Sequence, residues 1–250
     1  MNTNVFKRYE KKYLITRQQY AQLAKIFEPR MVPDRFARST IGNIYYDTPD
    51  FRLIRRSLDR PAYKEKLRLR TYLTPQQDSE SFIEIKKKFD HIVYKRRIAL
   101  PYGVALNYLD GGIALNSDVL SDADNSQIAR EIDWFCSFYE GLRPAMCISY
   151  DRYAVFDKEQ PALRVTFDSH IRWRADRLDL SYGMDGQSVL DGDTCLMEIK
   201  IPGAAPLWLA RALSDAGVFP THFSKYGRAY QLMLTQSQTV SAHKGGVFCA

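Results

Sequence analysis

Hydrophobic and polar residues alternate with a period of two along much of the chain, and the charged residues keep to one parity. In the segment YKEKLRLRTYL (63–73), Arg68 and Arg70 alternate with Leu67 and Leu69. This period is that of a β-strand with one apolar and one polar face. Nine segments, mostly separated by Pro, Gly, Asp or Ser clusters, are predicted strands: Phe6–Ile15, Gly42–Tyr46, Tyr63–Leu73, Phe82–Lys88, Val93–Leu100, Met146–Ala154, Leu163–Asp168, Leu178–Tyr182 and Cys195–Ile201.

Four shorter stretches have helical periodicity instead. The first begins at Thr16, which has capping-box spacing to Gln19, and it places Tyr20, Leu23 and Phe27 on one side. The others are predicted at Ser126–Tyr139, Pro206–Gly217 and Ser224–Leu234. The predicted buried sides of the second and third helices are Ile128, Ile132, Phe135 and Phe138, and Leu207, Ala210 and Leu213.

Length and composition fit one domain. The chain has 250 residues, of which 45% are hydrophobic, and that is enough apolar material for a sizeable core. We expect a single domain over residues 1–250, with a core at about 6–234 and a flexible tail at 235–250. The polar segment Asp110–Asn125 is the predicted disordered insertion.

The spacing of the cysteines and the absence of long apolar runs bear on where in the cell the protein is found. The four cysteines show no CxxC spacing, the first residues are charged, and no run of about 18 uncharged apolar residues occurs. We therefore expect reduced thiols, no transmembrane segment and a place in the cytoplasm, with attachment to a membrane surface through a partner protein as the alternative. The oligomeric state is left open.

The polar strand faces are dense in cations, and the chain as a whole carries a formal charge of +7. A solvated sheet face is the simpler explanation for any single strand. Across several strands it is weaker, because like charges on neighbouring strands destabilise a sheet unless an anion lies between them. The residues at these positions are Arg8, Glu10, Lys12, Lys66, Arg68, Arg70, Glu84, Lys86, Lys88, Lys95, Arg97, Tyr150, Arg152, Arg164, Asp168, Glu198 and Lys200.

Two arrangements supply such an anion. An open basic sheet could lie on nucleic acid, but the aromatic residues needed for base stacking mostly fall on the apolar parity. A closed barrel with its ionic face inward would enclose a polyanion, and arginine binds phosphate oxygens bidentately. Glu84 and Glu198, each in the sequence EIK, could hold a divalent cation there. No specific nucleic-acid partner is expected.

Eight segments in order resemble the VTC domain, the polyphosphate polymerase module of the triphosphate tunnel superfamily. They are RYEKKYLI, YYDTPDF, KEKLRLRTY, FIEIKKK, YKRR, SYDRYAVF followed by RVTFD, LMEIKIPG and HFSKYGRAY, and together they run from about residue 6 to 234. The resemblance implies an α+β fold in which an antiparallel β-barrel of about eight strands forms a tunnel, with helices packed outside. It also implies that ATP and polyphosphate are the partners and that Mn²⁺ or Mg²⁺ is the cofactor.

The resemblance also assigns roles to residues. It implies that the γ-phosphoryl group of ATP is transferred to a polyphosphate chain, and that Glu198 binds metal, with Glu10 and Glu84 as further metal candidates. The predicted catalytic residues are Arg68, Arg70, Arg152, Arg164 and Glu198. The predicted phosphate- or nucleotide-binding residues are Lys12, Lys66, Lys86, Lys95, Arg97, Tyr150, Lys200, His222 and Lys225.

Two alternatives use the same residues. If Glu10 or Glu84 orients a water, the protein is a triphosphatase or a short-chain polyphosphatase. If no reaction takes place, it is a module that binds polyphosphate or RNA. His222 departs from the lysine of some relatives, so that end of the site is predicted to be either less basic or pH-dependent. Asp47 is interpreted as part of a turn, and Lys64 and Lys88 as solvent-facing.

Overall fold

The structure is a computed structural model that describes residues 8–90, 92–113, 115 and 123–244. Strands dominate the described residues. They are β1 (Arg8–Thr16), β2 (Met31–Asp47), β3 (Tyr63–Tyr72), β4 (Glu80–Phe89), β5 (Ile92–Pro101), β6 (Arg143–Asp157), β7 (Arg164–Arg174), β8 (Gln187–Ser188) and β9 (Thr194–Pro202). The helices are α1 (Arg17–Phe27), α2 (Arg52–Leu58), α3 (Tyr102–Leu109), α4 (Ala123–Phe138), α5 (Leu207–Asp215) and α6 (Lys225–Lys244).

Hydrogen bonds connect the strands in the order β1, β9, β7, β6, β2, β3, β4, β5, with β8 attached to β7. The pairings of β1 and β7 with β9, and of β3 with β2 and β4, are antiparallel. The chain packs as two compact units. The first contains the described residues of 1–40, 150–171 and 190–224, and the second those of 41–149, 172–189 and 225–250. The prediction of a single domain remains a prediction.

The first unit has a core between the apolar strand faces and helices α1 and α5. Val165 of β7 and Ile199 of β9 are register partners, and both are fully buried. Leu23 of α1 lies in the same core. The predicted start of α1 is confirmed, because Thr16 and Gln19 each bond the other's backbone amide.

The second unit has its core on the apolar faces of β3, β4 and β5, covered by α3 and α4. Leu67 pairs in register with Ile85, and Leu69 pairs with Ile83. All four side chains are inaccessible to solvent or nearly so. Phe135 of α4 is buried against this face. The predicted division of β3 into an apolar and an ionic face is therefore confirmed.

Several predicted elements are corrected. Leu178–Tyr182 is not a strand: Leu180–Tyr182 is a short 3₁₀ helix, because the Asp179 carboxylate accepts a hydrogen bond from Ser181 N at 2.7 Å and caps a turn. The predicted buried side of α5 is right only for Leu213, which packs against the core. Leu207 is 64% exposed and Ala210 is exposed, while Leu209 and Ala212 are buried. Phe138 is 51% exposed as well. Leu207 is the first residue of α5, and Phe138 is the last residue of α4.

Other boundaries differ from the predictions. Strand β2 begins at Met31 rather than Gly42, and α2 and α3 were not predicted. Helix α6 continues to Lys244, so the segment 235–244 is helical rather than a flexible tail. The predicted strand start at Phe6, residues 114 and 116–122 of the predicted insertion Asp110–Asn125, and the tail residues 245–250 lie outside the described residues. The last three residues of that insertion, 123–125, are helical rather than disordered, because α4 begins at Ala123.

Candidate functional site

In the second unit, a cluster of cations surrounds the Glu84 carboxylate. The register places Glu84 of β4 between Arg68 of β3 and Arg97 of β5. Arg68 Nε donates to Glu84 Oε2 at 2.7 Å, and Arg70 Nε lies 3.7 Å from the same oxygen. Lys95 Nζ lies 2.7 Å from Oε1. One buried carboxylate therefore holds three of the predicted phosphate ligands together.

The charges in this cluster perturb one another. Burial by itself raises the pKa of Glu84, but the positive charges of Arg68, Arg70 and Lys95 outweigh burial and lower the pKa to about 2. Burial also lowers the pKa of Lys95, an effect that the nearby Glu84 carboxylate opposes. Glu84 is therefore ionised at neutral pH, and it compensates cations that would otherwise repel one another.

Strand β2 supplies neutral partners to the same arginines, and sequence reasoning missed them. Asn43 is the register partner of Arg70, and its Oδ1 accepts a hydrogen bond from Arg70 Nε at 3.1 Å. Tyr45 is the register partner of Arg68, and its hydroxyl accepts from Arg68 Nη1 at 3.1 Å. Asn43 and Tyr45 alternate with apolar residues within Gly42–Tyr46, and this alternation could have placed them on the ionic face. They were missed because sequence reasoning selected that face by its charged residues.

The other predicted ligands of the second unit are less deeply placed. Lys66 and Lys86 are register partners on neighbouring strands, and both are partly buried. The Lys66 ammonium lies 5.9 Å from the ring centroid of Tyr226. Arg97 is exposed, with its guanidinium 4.7 Å from the ring centroid of Phe82. Lys225, the first residue of α6, is buried.

The first unit has its own ionic cluster, centred on Arg152 of β6. The Asp168 carboxylate accepts two hydrogen bonds from Arg152, from Nε at 2.6 Å and from Nη2 at 2.8 Å. Glu198 Oε2 lies 3.6 Å from Arg152 Nη2, and Glu198 Oε1 lies 3.3 Å from Lys12 Nζ. Lys12 also reaches Glu10 at 3.9 Å. The structure therefore brings together predicted residues from β1, β6 and β9.

The remaining predicted residues of the first unit differ in their surroundings. Lys200 is the register partner of both Glu10 and Arg164, and burial lowers its pKa while the Glu10 charge raises it. Tyr150 is buried, with its ring centroid 5.2 Å from the Arg152 guanidinium. Arg164 is half-exposed and pairs with Asp34, which was not predicted. His222 is exposed.

Glu10 and Glu198 are the carboxylates best suited to a divalent cation. No group of three or more His, Cys, Asp or Glu ligands comes together within the described part of the chain. Magnesium-type ions need only one or two carboxylates when phosphate oxygens and waters complete their coordination. Both carboxylates reach the same Lys12 ammonium, so this donor set fits such an ion. Glu84 fits it poorly, since its side chain is only 1% exposed and pairs with three cations, whereas the Glu198 and Glu10 side chains are 10% and 34% exposed.

Comparisons with solved structures define the class of fold. A protein from Bacillus halodurans, provisionally named an adenylate cyclase, is similar with a TM-score of 0.52 at 13% identity, over 86% of this chain and 92% of that one. A Hippeastrum protein, provisionally named an adenylyl cyclase and described as having a dominant triphosphatase activity, matches with a TM-score of 0.50 at 12% identity, over 89% and 94% of the two chains. This chain therefore has the same fold as these two proteins, and its antiparallel sheet with helices agrees with the predicted α+β fold class.

The family is shown by the sequence itself. Residues 7–234 match the VTC domain, so the chain belongs to the VTC domain family and the predicted resemblance is confirmed. No curated protein matches the chain significantly. Among the residues that the structure describes, no helix is both long enough and apolar enough to span a bilayer.

Proposed function

We propose that the protein is a metal-dependent polyphosphate polymerase that transfers the γ-phosphoryl group of ATP to a polyphosphate chain within a basic tunnel. Membership of the VTC domain family supports this proposal. The observation that carries it is the Glu84 cluster, where three cations share one carboxylate. Such a cluster carries a net positive charge and can therefore bind an anion.

Phosphoryl transfer depends mainly on positioning and on neutralising charge, and it asks for little covalent chemistry from the protein. In this proposal Arg68 and Arg70 bind oxygens of the transferring phosphoryl group, and Lys95 and Lys66 bind neighbouring phosphates. In the first unit Arg152, Arg164 and Lys12 bind phosphate oxygens. Additional ligands in the proposal are Lys86, Arg97, Tyr150, Lys200, His222 and Lys225.

Glu198 and Glu10 would hold the metal ion, which when bound supplies positive charge to phosphate oxygens. The acceptor is the terminal phosphate of a polyphosphate chain, which is already ionised, so the reaction needs no general base. ATP as donor also fits a cytoplasmic location. Mn²⁺ and Mg²⁺ both suit the two carboxylates.

Hydrolysis is the second candidate function. The Hippeastrum protein of the same fold is described as having a dominant triphosphatase activity. A triphosphatase would use the same cations but would admit water in place of the phosphate acceptor. A module that only binds polyphosphate or RNA is the third candidate.

One assay separates these candidates. The purified protein is incubated with ATP and Mn²⁺, and the products are run on a gel. A ladder of acid-stable polyphosphate supports the polymerase, orthophosphate alone supports the triphosphatase, and no turnover leaves a binding module. Arg68→Met is expected to lower turnover about 100-fold or more, as loss of a group that stabilises transition-state charge does.

Two further variants sharpen the assay. Arg96→Met is the matched control for Arg68→Met, because Arg96 lies on the opposite face of β5 and pairs with Glu131 at 3.8 Å. It should leave turnover unchanged. Glu198→Ala should abolish metal-dependent turnover in an enzyme, whereas a binding module would keep or increase its affinity for polyphosphate. Full turnover in both Arg68→Met and Glu198→Ala would refute the proposal.

A further inference from the structure

Two stacked tyrosines lie beside the Arg68 guanidinium. The Tyr45 hydroxyl accepts a hydrogen bond from Arg68 Nη1 at 3.1 Å. The ring of Tyr45 packs on the ring of Tyr226 from α6, with centroids 4.6 Å apart and planes inclined by 20°. Both side chains are buried, at 6% and 2% exposure, so neither offers a face to a nucleotide base. Their contacts are with the protein's own side chains.

Asp47 anchors this pair from the other side. The Tyr226 hydroxyl donates to Asp47 Oδ2 at 2.8 Å. The same carboxylate accepts hydrogen bonds from the backbone amides of Thr48, Leu53 and Ile54, at 2.9, 2.8 and 3.0 Å. Since Asp47 is fully buried and held by the first turn of α2, its position is fixed by backbone structure. Tyr226 is thereby fixed as well.

The tyrosine pair contacts further proposed phosphate ligands. Tyr226 follows Lys225 directly, so the bond to Asp47 also holds the first turn of α6, where Lys225 lies. The Lys66 ammonium lies 5.9 Å from the centroid of the Tyr226 ring. Three of the proposed ligands, one on α6 and two on β3, are therefore adjacent to the same aromatic pair.

Arg68 is held along two edges. Its Nε and Nη2 contact Glu84 Oε2 at 2.7 and 2.6 Å, and its Nη1 contacts Tyr45. A guanidinium bonded only through Nε and Nη2 can still swing about the shared oxygen. The third contact removes that freedom. Fixed placement matters here because a displacement of about 1 Å can cost about 100-fold in rate.

We infer that Tyr45 and Tyr226, anchored by Asp47, are positioning residues that hold the Arg68 guanidinium for phosphoryl transfer. The inference rests on the proposed function, since it assigns these residues a part in turnover. It extends that function to side chains that carry no charge. Asp47, interpreted from sequence as part of a turn, acquires a second role as the anchor.

The test compares three Tyr→Phe variants. Tyr45→Phe and Tyr226→Phe each remove only a hydroxyl, and each is expected to lower kcat about tenfold or more while the KM for ATP changes less than about threefold. Tyr108→Phe is the matched control, because the Tyr108 hydroxyl donates to Asp133 at 2.5 Å in the same unit, away from the ionic cluster. It should lower thermal stability without lowering kcat. Wild-type kcat in both Tyr45→Phe and Tyr226→Phe overturns the inference.

A second readout separates this inference from the proposed function. If the wild-type protein forms only orthophosphate, the same kcat comparison is made on phosphate release. If it shows no turnover, the Nε–H signal of Arg68, assigned with Arg68→Lys, is followed by ¹⁵N NMR with tripolyphosphate present. That signal should be sharp in the wild type and in Tyr108→Phe, and exchange-broadened in Tyr45→Phe and Tyr226→Phe. Equal line widths in all four proteins overturn the positioning role, whatever reaction the protein performs.

Discussion

Replacing Glu84 by glutamine is predicted to destabilise the protein strongly and in a pH-dependent way. The side chain of Glu84 is 1% exposed, and it forms ion pairs with Arg68, Arg70 and Lys95 at 2.6, 3.7 and 2.7 Å. Glutamine keeps the size and the hydrogen-bonding capacity of the side chain but removes its charge. The three cations then face one another without a compensating carboxylate.

The magnitude follows from the pKa of Glu84. Folding lowers this pKa from 4.5 to about 2. At about 1.4 kcal/mol per pKa unit, the interactions of the ionised form are worth about 3 kcal/mol to the folded state. Loss of one partner of a buried ion pair typically costs about 3–5 kcal/mol, which agrees. We therefore expect Glu84→Gln to lower the free energy of unfolding by about 3 kcal/mol at pH 7.

The sign of the pH dependence is fixed by the direction of the shift. Because the folded pKa lies below the unfolded one, the stabilisation is complete above pH 4.5 and is lost as the pH falls towards about 2. The difference in unfolding free energy between wild type and Glu84→Gln should therefore be largest at neutral pH and shrink below pH 4.5.

Urea unfolding followed by tryptophan fluorescence at pH 7 and pH 3 measures both quantities. Glu131→Gln is the control, since Glu131 forms a partly exposed pair with Arg96 at 3.8 Å and ion pairs near the surface are worth about 1 kcal/mol or less. The reasoning is refuted if Glu84→Gln is as stable as Glu131→Gln at pH 7. It is also refuted if the deficit of Glu84→Gln is the same at both pH values.

Three further changes test the fold around the site. Asp168→Asn removes the negative charge of a fully buried side chain that binds the Arg152 guanidinium. Denaturant unfolding should show that the free energy of unfolding falls by about 3 kcal/mol. Thr16→Ala removes the N-cap of α1 and should lower stability by about 1 kcal/mol, measured in the same way. Gly186→Ala would place a Cβ 2.6 Å from the Trp173 carbonyl oxygen and should cost about 1–3 kcal/mol, whereas Gly192→Ala, where a Cβ meets nothing within 4 Å, should not change the melting temperature.

The strands were predictable where one face is buried and the other is ionic. In the middle of β3 and β4 the period of two is clear, because Leu67, Leu69, Ile83 and Ile85 occupy one side while charged residues occupy the other. The first part of β2 was missed because many of its residues are partly exposed on both faces, so the alternation there is weak. Helix α2 was missed for a different reason: at seven residues it is too short to show a helical period.

For the candidate site, the sequence predicted the charged residues but not the neutral groups that contact them. Arg68 and Arg70 stand out by parity alone. Asn43 and Tyr45 become significant only when β2 pairs with β3 in the observed register, and that register is a long-range property. Glu65 was missed for a different reason: it is a charged residue at an apolar position of the alternation. It lies on the apolar face of β3, where its carboxylate accepts hydrogen bonds from two tyrosine hydroxyls.

The balance of charge differs between the two ionic clusters, and this difference bears on how each would bind phosphate. In the second unit three cations share the single carboxylate of Glu84, so that cluster carries excess positive charge and attracts phosphate by itself. In the first unit Lys12, Arg152 and Lys200 lie among three carboxylates, Glu10, Asp168 and Glu198. A balanced cluster gains affinity for phosphate only when a further cation joins it. The divalent ion of the proposed reaction would therefore be needed in the first unit, where the carboxylates of Glu10 and Glu198 could hold it.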